Sequence, residues 1–401
     1  MDYYKNKNES GKNNRQILIT TCNSWIRGGI QMYIYNILKT IDLHNISVDI
    51  YLSFDIFDKS FLNSVLNIKN SDITFYVGNS KSNHSQIFND IMNISNLIKQ
   101  KKYDVIHVNT GVLWFQAVNL FIAKLFHIKN RIAHSHNAIV DSDVTKNKKI
   151  KKKIKFVYYK FLRFIINRSA TNFFACSDIA GIWLYGKKKW KKCGSIQKNG
   201  IVVSDYKFNF YYRDEIRSYY SIPKNSIVLG LIASFNHQKN QRFLIEIFKE
   251  FKKIEQNSYL FLVGDGENKI NMENFVEENH IKNVIFIGST SFANKFYSAF
   301  DVFVMTSFFE GLPFVAIEAQ CSGIPCILSD SITREVKLSK NIDFVSLAES
   351  PKIWCEKISK LLKENSSDNR KQLSVENAHI ISSLGFDLKS SSKNIETLYK
   401  G

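Results

Sequence analysis

The stretch Asp301 to Asp330, DVFVMTSFFEGLPFVAIEAQCSGIPCILSD, admits few folds. Its opening run DVFVMTS is short, apolar and β-branched, the pattern of a strand buried on both faces of a parallel sheet. The run Pro313 to Ser322 has helical character, and Pro313 suits a first helical position, where its missing N–H is not needed. Strand, tight turn and helix in that order put Glu310 in the turn, next to Gly311, Leu312, Pro313 and Phe314, with the free N–H groups of the helix beside it. Glu318 is then expected about two turns away, roughly 12 Å along the axis at 1.5 Å per residue. A helix N-terminus attracts anions, and the two carboxylates can accept hydrogen bonds from hydroxyl groups. A ligand with phosphate between two sets of hydroxyls, a sugar nucleotide, fits that pattern.

Strand-like runs and helical stretches alternate along the whole chain. ILIT (Ile17 to Thr20) is followed by a Gly-Gly turn and a helical Gly29 to Leu38; VDIYLSF, ITFYV, VIHVN and RIAHSH follow. The pattern loosens between Asp205 and Pro223 and restarts at IVLGLIAS (Ile227 to Ser234). Such alternation predicts α/β units with parallel sheets, which bind ligands at the carboxyl ends of their strands. At 401 residues two domains are expected. The expected boundaries are a disordered tail over 1–15, a Rossmann-like domain over 16–204, a second over 205–380, and a helical segment over 381–401.

Charge is informative once it is divided. Residues 1–200 hold 31 Lys and Arg against 12 Asp and Glu, and residues 201–401 hold 24 against 24, so the net +19 belongs to the first half. Much of it lies in KNKKIKKKIKFVYYKFLRFIINR (Lys146 to Arg168) and KKKWKK (Lys187 to Lys192). Within the first run Ile150, Ile154, Val157, Phe161 and Phe164 recur at helical spacing. That stripe reads either as a core-facing helix with a solvated lysine face or as a surface for anionic membrane lipid. No nucleic-acid-binding module is recognisable, so nucleic acid is not an expected partner. No apolar run reaches the roughly 18 residues of a membrane-spanning helix, and the polar N-terminus lacks a signal-peptide core. Cys22, Cys176, Cys193, Cys321, Cys326 and Cys355 have no paired spacing and read as reduced thiols. A cytoplasmic protein is expected, with the inner face of the plasma membrane as the surface open to peripheral association.

Several residues stand where chemistry is expected. Gly28 and Gly29 follow the first strand and open a helix, although a Gly-Gly pair is equally a plain turn using positive φ. His136 ends RIAHSH, with His134 on the same strand face and His107 inside VIHVN a weaker candidate. Lys239 lies in the loop after Ile227 to Ser234, and Gly264, Asp265 and Gly266 end YLFLVG. Asp141-Ser142-Asp143 has metal-motif spacing but lacks further oxygen ligands, so no metal is expected.

FFEGLPFVAIEA resembles the Glu-x7-Glu motif of the retaining glycosyltransferases of family 4, which share the two-domain GT-B fold. RGGIQMYIYNIL, NHQKNQRFLIEIF, LVGDGENKI, VIFIGSTS and SITREV follow that family's order, so Gln16 to Val336 is covered, most like the bacterial enzymes of capsule and exopolysaccharide synthesis. The resemblance implies two Rossmann-like domains with an interdomain cleft and a last helix crossing back to the first domain. It implies transfer of a hexose from a nucleoside-diphosphate sugar, with a lean to uridine, to a glycan acceptor on a lipid carrier. It needs no cofactor, since the nucleotide sugar is a substrate. By the same resemblance His136 faces the donor sugar with His134 in support, and Lys239 neutralises the diphosphate. Gly28 and Gly29 approach donor and acceptor; Gly264, Asp265, Gly266 and Gly288 surround the base. Glu310 holds the sugar and Glu318 the ribose. One departure stands out: the family's Gly-Arg is Ala233-Ser234 here. Serine lacks arginine's charged, bidentate contact, a loss of about 2–4 kcal/mol in a buried site, unless Arg242 compensates. The departure motivates an alternative, a non-catalytic partner of an active transferase. A sugar-nucleotide epimerase, which shares the fold, is disfavoured by the carboxylate spacing.

Overall fold

The structure, a computed structural model, describes residues 2–5, 14–22, 25–26, 28–54, 56–69, 71–78, 83–136, 149–365 and 369–401. The chain forms two compact units, Met1–Gly200 with Leu388–Gly401, and Ile201–Asp387.

The first unit runs β1 (Asp2–Lys5), β2 (Arg15–Thr21), α1 (Gly29–Thr40), β3 (Ile46–Leu52), α2 (Lys59–Leu66), β4 (Asp72–Val77), α3 (Asn83–Gln100), β5 (Val105–Asn109), α4 (Leu113–Leu125), β6 (Asn130–Ser135), α5 (Lys149–Ser169), β7 (Asn172–Ala175), α6 (Asp178–Tyr185), α7 (Lys187–Cys193) and β8 (Gly194–Ile196). Its sheet has the order β1-β4-β3-β2-β5-β6-β7-β8, parallel throughout except for β1. The expected disordered tail is corrected in part: Asp2–Lys5 pairs antiparallel with β4, Asp2 opposite Val77 and Lys5 opposite Thr74. Pairing covers what would be an open sheet edge, helped by Lys5 at 3.6 Å from Asp72 and by Tyr4 packed edge-on to Phe57.

The second unit runs α8 (Phe210–Tyr219), β9 (Ile227–Ile232), α9 (Gln241–Ile254), β10 (Ser258–Val263), α10 (Lys269–Glu278), β11 (Val284–Ile287), α11 (Ala293–Ala299), β12 (Val302–Met305), α12 (Phe314–Cys321), β13 (Cys326–Ser329), β14 (Ile342–Val345), α13 (Pro351–Glu364) and α14 (Arg370–Ile381). Its parallel sheet has the order β11-β10-β9-β12-β13-β14. Ahead of β12 sits a carboxylate clasp. Asp301 accepts from Arg213 at 2.7 Å, Arg217 at 2.5 Å and the Val228 N–H at 2.7 Å, tying α8 and β9 to β12. The last helix, α15 (Leu388–Lys400), belongs to the first unit.

The division therefore falls at Gly200 and Leu388, where 204 and 381 were expected. Ile201 N–H donates to Phe386 O at 2.9 Å, which keeps 382–387 with the second unit, and Gly385 at φ +78 breaks the helical path. The described part of the sequence stripe is also not the core-facing side of α5. Leu162, Ile166 and Ser169 are buried, whereas Val157, Phe161 and Phe164 of the sequence stripe are 65%, 58% and 55% exposed. The side chains of Ile150 and Ile154 lie outside the described residues.

In both sheets the strand order reverses once. In the second unit β9, β10 and β11 run one way and β12, β13 and β14 the other, so the reversal lies between β9 and β12; in the first unit it lies between β2 and β5. At such a point adjacent loops diverge to opposite faces and leave room above the strand ends, the usual ligand position in open α/β sheets.

Candidate active site

The loop after β9 and the loop after β12 leave the reversal point of the second unit, and they are stitched together. Phe308 N–H donates to Gln238 O at 2.8 Å, Gln238 Nε2 to Phe309 O at 2.9 Å, and Thr306 Oγ1 to Asn240 O at 2.9 Å. The His237 ring stacks on Phe308 at 5.0 Å. Asn236 caps the short turn His237–Lys239 by accepting from the Lys239 N–H, and Asn240 takes the left-handed conformation to start α9. The result is a fixed platform for Lys239, whose Nζ donates to Glu310 Oε1 at 2.5 Å. Both side chains are largely buried, 16% and 7% exposed, so cation and carboxylate largely neutralise each other.

Glu310 is held from the other side by a bridge to Ile332. Gly311, Leu312 and Pro313 are buried behind it, and α12 begins at Phe314, with Pro313 as the capping residue. Glu318 is therefore only just over one helical turn inside α12; the two-turn expectation fails because residues 310–313 are not helical. Its Oε2 accepts from Tyr297 Oη at 2.6 Å, and Tyr206 donates as well. Burial raises the Glu318 carboxyl above its ordinary range, against those two donors, which pull it down. The tyrosines fix the carboxylate's orientation; nothing in the sequence marked either of them.

The next loop along the edge needs its glycines. Gly264 has φ +137, and a Cβ there would lie 2.1 Å from Ala233 O; Gly266 has φ +153, with Phe235 O at 2.4 Å. This brings the loop of Asp265 against the one holding Ser234, with Phe235 N–H donating to Asp265 O at 2.9 Å. Gly288, at the end of β11, has the Lys269 Nζ 3.9 Å from its Cβ position, a cation that sequence reasoning missed.

Two expectations are qualified. Ser234 Oγ is engaged by Asn236 Nδ2 at 3.1 Å, and its carbonyl by Gln241 Nε2 at 2.8 Å. Arg242 does not fill the place of the missing arginine: it is 63% exposed, pairs with Glu246 at 3.3 Å and stacks over Phe275 at 4.4 Å. Among the described residues no group of three or more His, Cys, Asp or Glu is arranged to hold a metal ion. Asp141 and Asp143 lie outside the described residues.

In the first unit, Gly28 caps α1 at φ −149, so the Gly-Gly pair does not use positive φ; Gly29 is exposed, with open space where a Cβ would stand. His136, just past β6, is buried, and its Nε2 meets Asn109 Oδ1 at 2.9 Å. Asn109 Nδ2 donates to His107 O at 3.2 Å, which fixes the amide so that Oδ1 can only accept. The His136 proton is therefore on Nε2. His134 stacks on His136 at 4.1 Å, and its Nδ1 lies 3.2 Å from His107 Nε2. His107 Nδ1 is 2.8 Å from Tyr399 Oη. Burial depresses His107 and His136 to about 3 and lowers His134 well below its usual value, and a proton on His136 would oppose one on either of the other two. All three are neutral imidazoles at neutral pH. Asn109 was missed by the sequence reading, although it ends β5 as His136 follows β6.

Known proteins resemble this chain in sequence and in fold. Residues 212–378 match the model of the glycosyl transferases group 1. EpsF of Bacillus subtilis, whose name assigns it provisionally to the glycosyltransferases, is 28% identical over 339 residues, 83% of this chain and 84% of its own. The amylovoran biosynthesis glycosyltransferase AmsD of Erwinia amylovora is 24% identical, over 76% of this chain and 84% of its own. Among solved structures, Anabaena HepE in complex with UDP and glucose superposes with a TM-score of 0.72 at 18% identity, covering 97% of this chain and all of that one. WaaG, a glycosyltransferase of lipopolysaccharide biosynthesis, gives 0.69 at 16% identity, over 96% of this chain and all of its own. Residues 212–378 are thus a glycosyl transferases group 1 domain, within a chain whose two parallel-sheet units have the fold of the GT-B glycosyltransferases.

Proposed function

We propose that the protein transfers a hexose from a nucleoside-diphosphate sugar, a UDP-sugar, to a lipid-linked glycan during bacterial capsule or exopolysaccharide synthesis, with retention of anomeric configuration. One observation carries the reading: the Lys239–Glu310 pair at the strand-order reversal of the second unit, with Glu318 oriented close by in sequence by two tyrosines. Departure of the nucleoside diphosphate builds negative charge, and an already placed ammonium stabilises it without reorganisation. A diphosphate would compete with Glu310 for Lys239, freeing the Glu310 carboxylate to accept from sugar hydroxyls. Glu318 would accept from the ribose. The N-terminus of α12 adds its dipole. No side chain is assigned as nucleophile; the leaving phosphate takes the acceptor proton, and positioning supplies most of the rate. In this reading the donor is a substrate and no metal or cofactor takes part. For the first unit we propose that neutral His136 contacts substrate by hydrogen bonding, with His134 in support, and that the exposed Gly29 backbone at the start of α1 admits a ligand.

Relatives support the substrate class. One from Escherichia coli is named as a UDP-Gal-dependent galactosyltransferase acting on a diphosphoundecaprenol-linked sugar; it is 26% identical over 60% of this chain. A lipid-linked acceptor would place the enzyme at the inner face of the membrane, where the basic first half suits an anionic surface. The test is a thermal-shift screen of nucleoside diphosphates and their sugars, followed by transfer assays and determination of the product anomer. Stabilisation follows RT ln(1 + [L]/Kd). A shift with one nucleotide sugar that Glu318→Ala abolishes supports the reading; an inverted product refutes retention.

Ser234 favours a second reading, a non-catalytic partner of an active transferase, because Arg242 does not replace the missing arginine. Absence of nucleotide binding in the natural protein, with binding gained in Ser234→Arg, would select it.

A further inference from the structure

The apolar stripe of α5 faces solvent, and it is not isolated. Phe156, Val157, Phe161 and Phe164 are 65%, 65%, 58% and 55% exposed, and on α4 Phe121 and Leu125 are 47% and 59% exposed. Lys124 Nζ donates to Arg168 O at 3.0 Å, so the C-terminal ends of the two helices are adjacent. Large apolar groups at helical spacing are ordinarily turned to a core; here the core contact is left to Leu162 and Ile166. The same helix carries eight Lys and Arg and no Asp or Glu. Among the described residues no helix is long and apolar enough to cross a membrane. A 21-residue helix with exposed aromatics beside exposed Lys160 and Arg168 has the composition of one lying flat in a lipid headgroup layer.

We propose that the outer face of α5 with the end of α4 docks on an anionic phospholipid bilayer, Phe161 and Phe164 entering the interface and Lys160 and Arg168 meeting headgroup phosphates. Charge decides the occupant: Lys160 and Arg168 are exposed among the aromatics, on a helix whose sequence holds no Asp or Glu, which calls for an extended anionic surface, and the aromatics call for one with an apolar layer beneath. A nucleic acid meets the first requirement and fails the second. The inference deepens the membrane-surface reading above, and rests on it for its role but not for its test.

The experiment is co-sedimentation of the purified full-length protein with phosphatidylcholine vesicles, with and without phosphatidylglycerol, over a salt series. Binding only with phosphatidylglycerol is expected, weakening with salt. The exposed double variant Phe161→Ser/Phe164→Ser and the single variant Lys160→Glu should each bind at least about tenfold more weakly. Their melting temperatures and UDP shifts should match the natural protein. A natural protein that stays in the supernatant overturns the proposal. So do variants that sediment like it, which would move binding to another basic segment such as Lys187 to Lys192. Equal binding to RNA, insensitive to the phenylalanine changes, identifies a polyanion site and also overturns it. Vesicle binding without a nucleotide shift refutes the donor reading and leaves this one standing; a nucleotide shift without vesicle binding does the reverse.

Discussion

Lys239 and Glu310 hold each other, so each is the other's neutralising partner as well as a candidate ligand contact. Lys239→Met should lower the rate of nucleoside-diphosphate release by about a hundredfold or more, the usual effect of removing one preorganised charge donor; a loss under threefold would remove Lys239 from the chemistry. The histidines give a prediction about pH. His107 and His136 bind protons less readily folded, at about 3, than at the ordinary 6.5, so the unfolded chain holds more protons between those values. Stability then rises with pH across that window and is lost as pH falls from 6.5 toward 3. Urea unfolding across this range should show the slope, and His107→Phe should flatten it. At this scale Glu310, Glu318, Lys239 and the glycines were legible because spacing and strand-end position are written in the chain. Tyr206, Tyr297, Asn109 and Lys269 were not, since each acts across 19 or more residues through contacts that only the fold creates.

Elements were easier to read than their orientation. Short β-branched runs located β2, β5, β9 and β12, because strands covered on both faces have to be continuously apolar. The stripe on α5 was equally plain, yet periodicity reports only that one side of a helix differs from the other, not which side meets the sheet. At the start of α12, Pro313 pointed correctly to a helix start and was wrong by one position, within the usual ambiguity of helix ends. The join between α8, β9 and β12 depends on Asp301. Burial pushes that carboxyl up, but the charges of Arg213 and Arg217 outweigh burial and hold it below its ordinary range. Its contribution to stability is present above the unfolded value of 3.8 and is lost as pH falls through the lower folded value. Asp301→Asn leaves two arginines without their partner and should cost about 3–5 kcal/mol in urea denaturation. A change below 1 kcal/mol (about the worth of an exposed pair) would show that the clasp is marginal.

On the scale of the whole chain, two units were expected from length and alternation, but their limits were misjudged by a few residues at each join. A bond from Ile201 to Phe386, remote in sequence, decides where the second join falls, and no local signal reports it. The last helix packs Leu388, Ser391, Ser392, Ile395 and Tyr399 into the first unit. Against it lies Gly200, where a Cβ would meet the Ser391 hydroxyl at 2.0 Å. Deleting residues 388–401 should therefore destabilise the first unit while the second keeps its nucleotide shift, seen as one lowered and one retained transition in calorimetry. Loss of both together would show that the units melt as one.

That helix also sets an order of events during synthesis. Tyr399 supplies the bond to His107 across 292 residues, so the first half of the chain leaves the ribosome unable to complete its own core. Every strand of the second unit emerges before that core can close. A helix made after the second unit finishes what was begun before it, and until then the open first unit is the segment most in need of a chaperone.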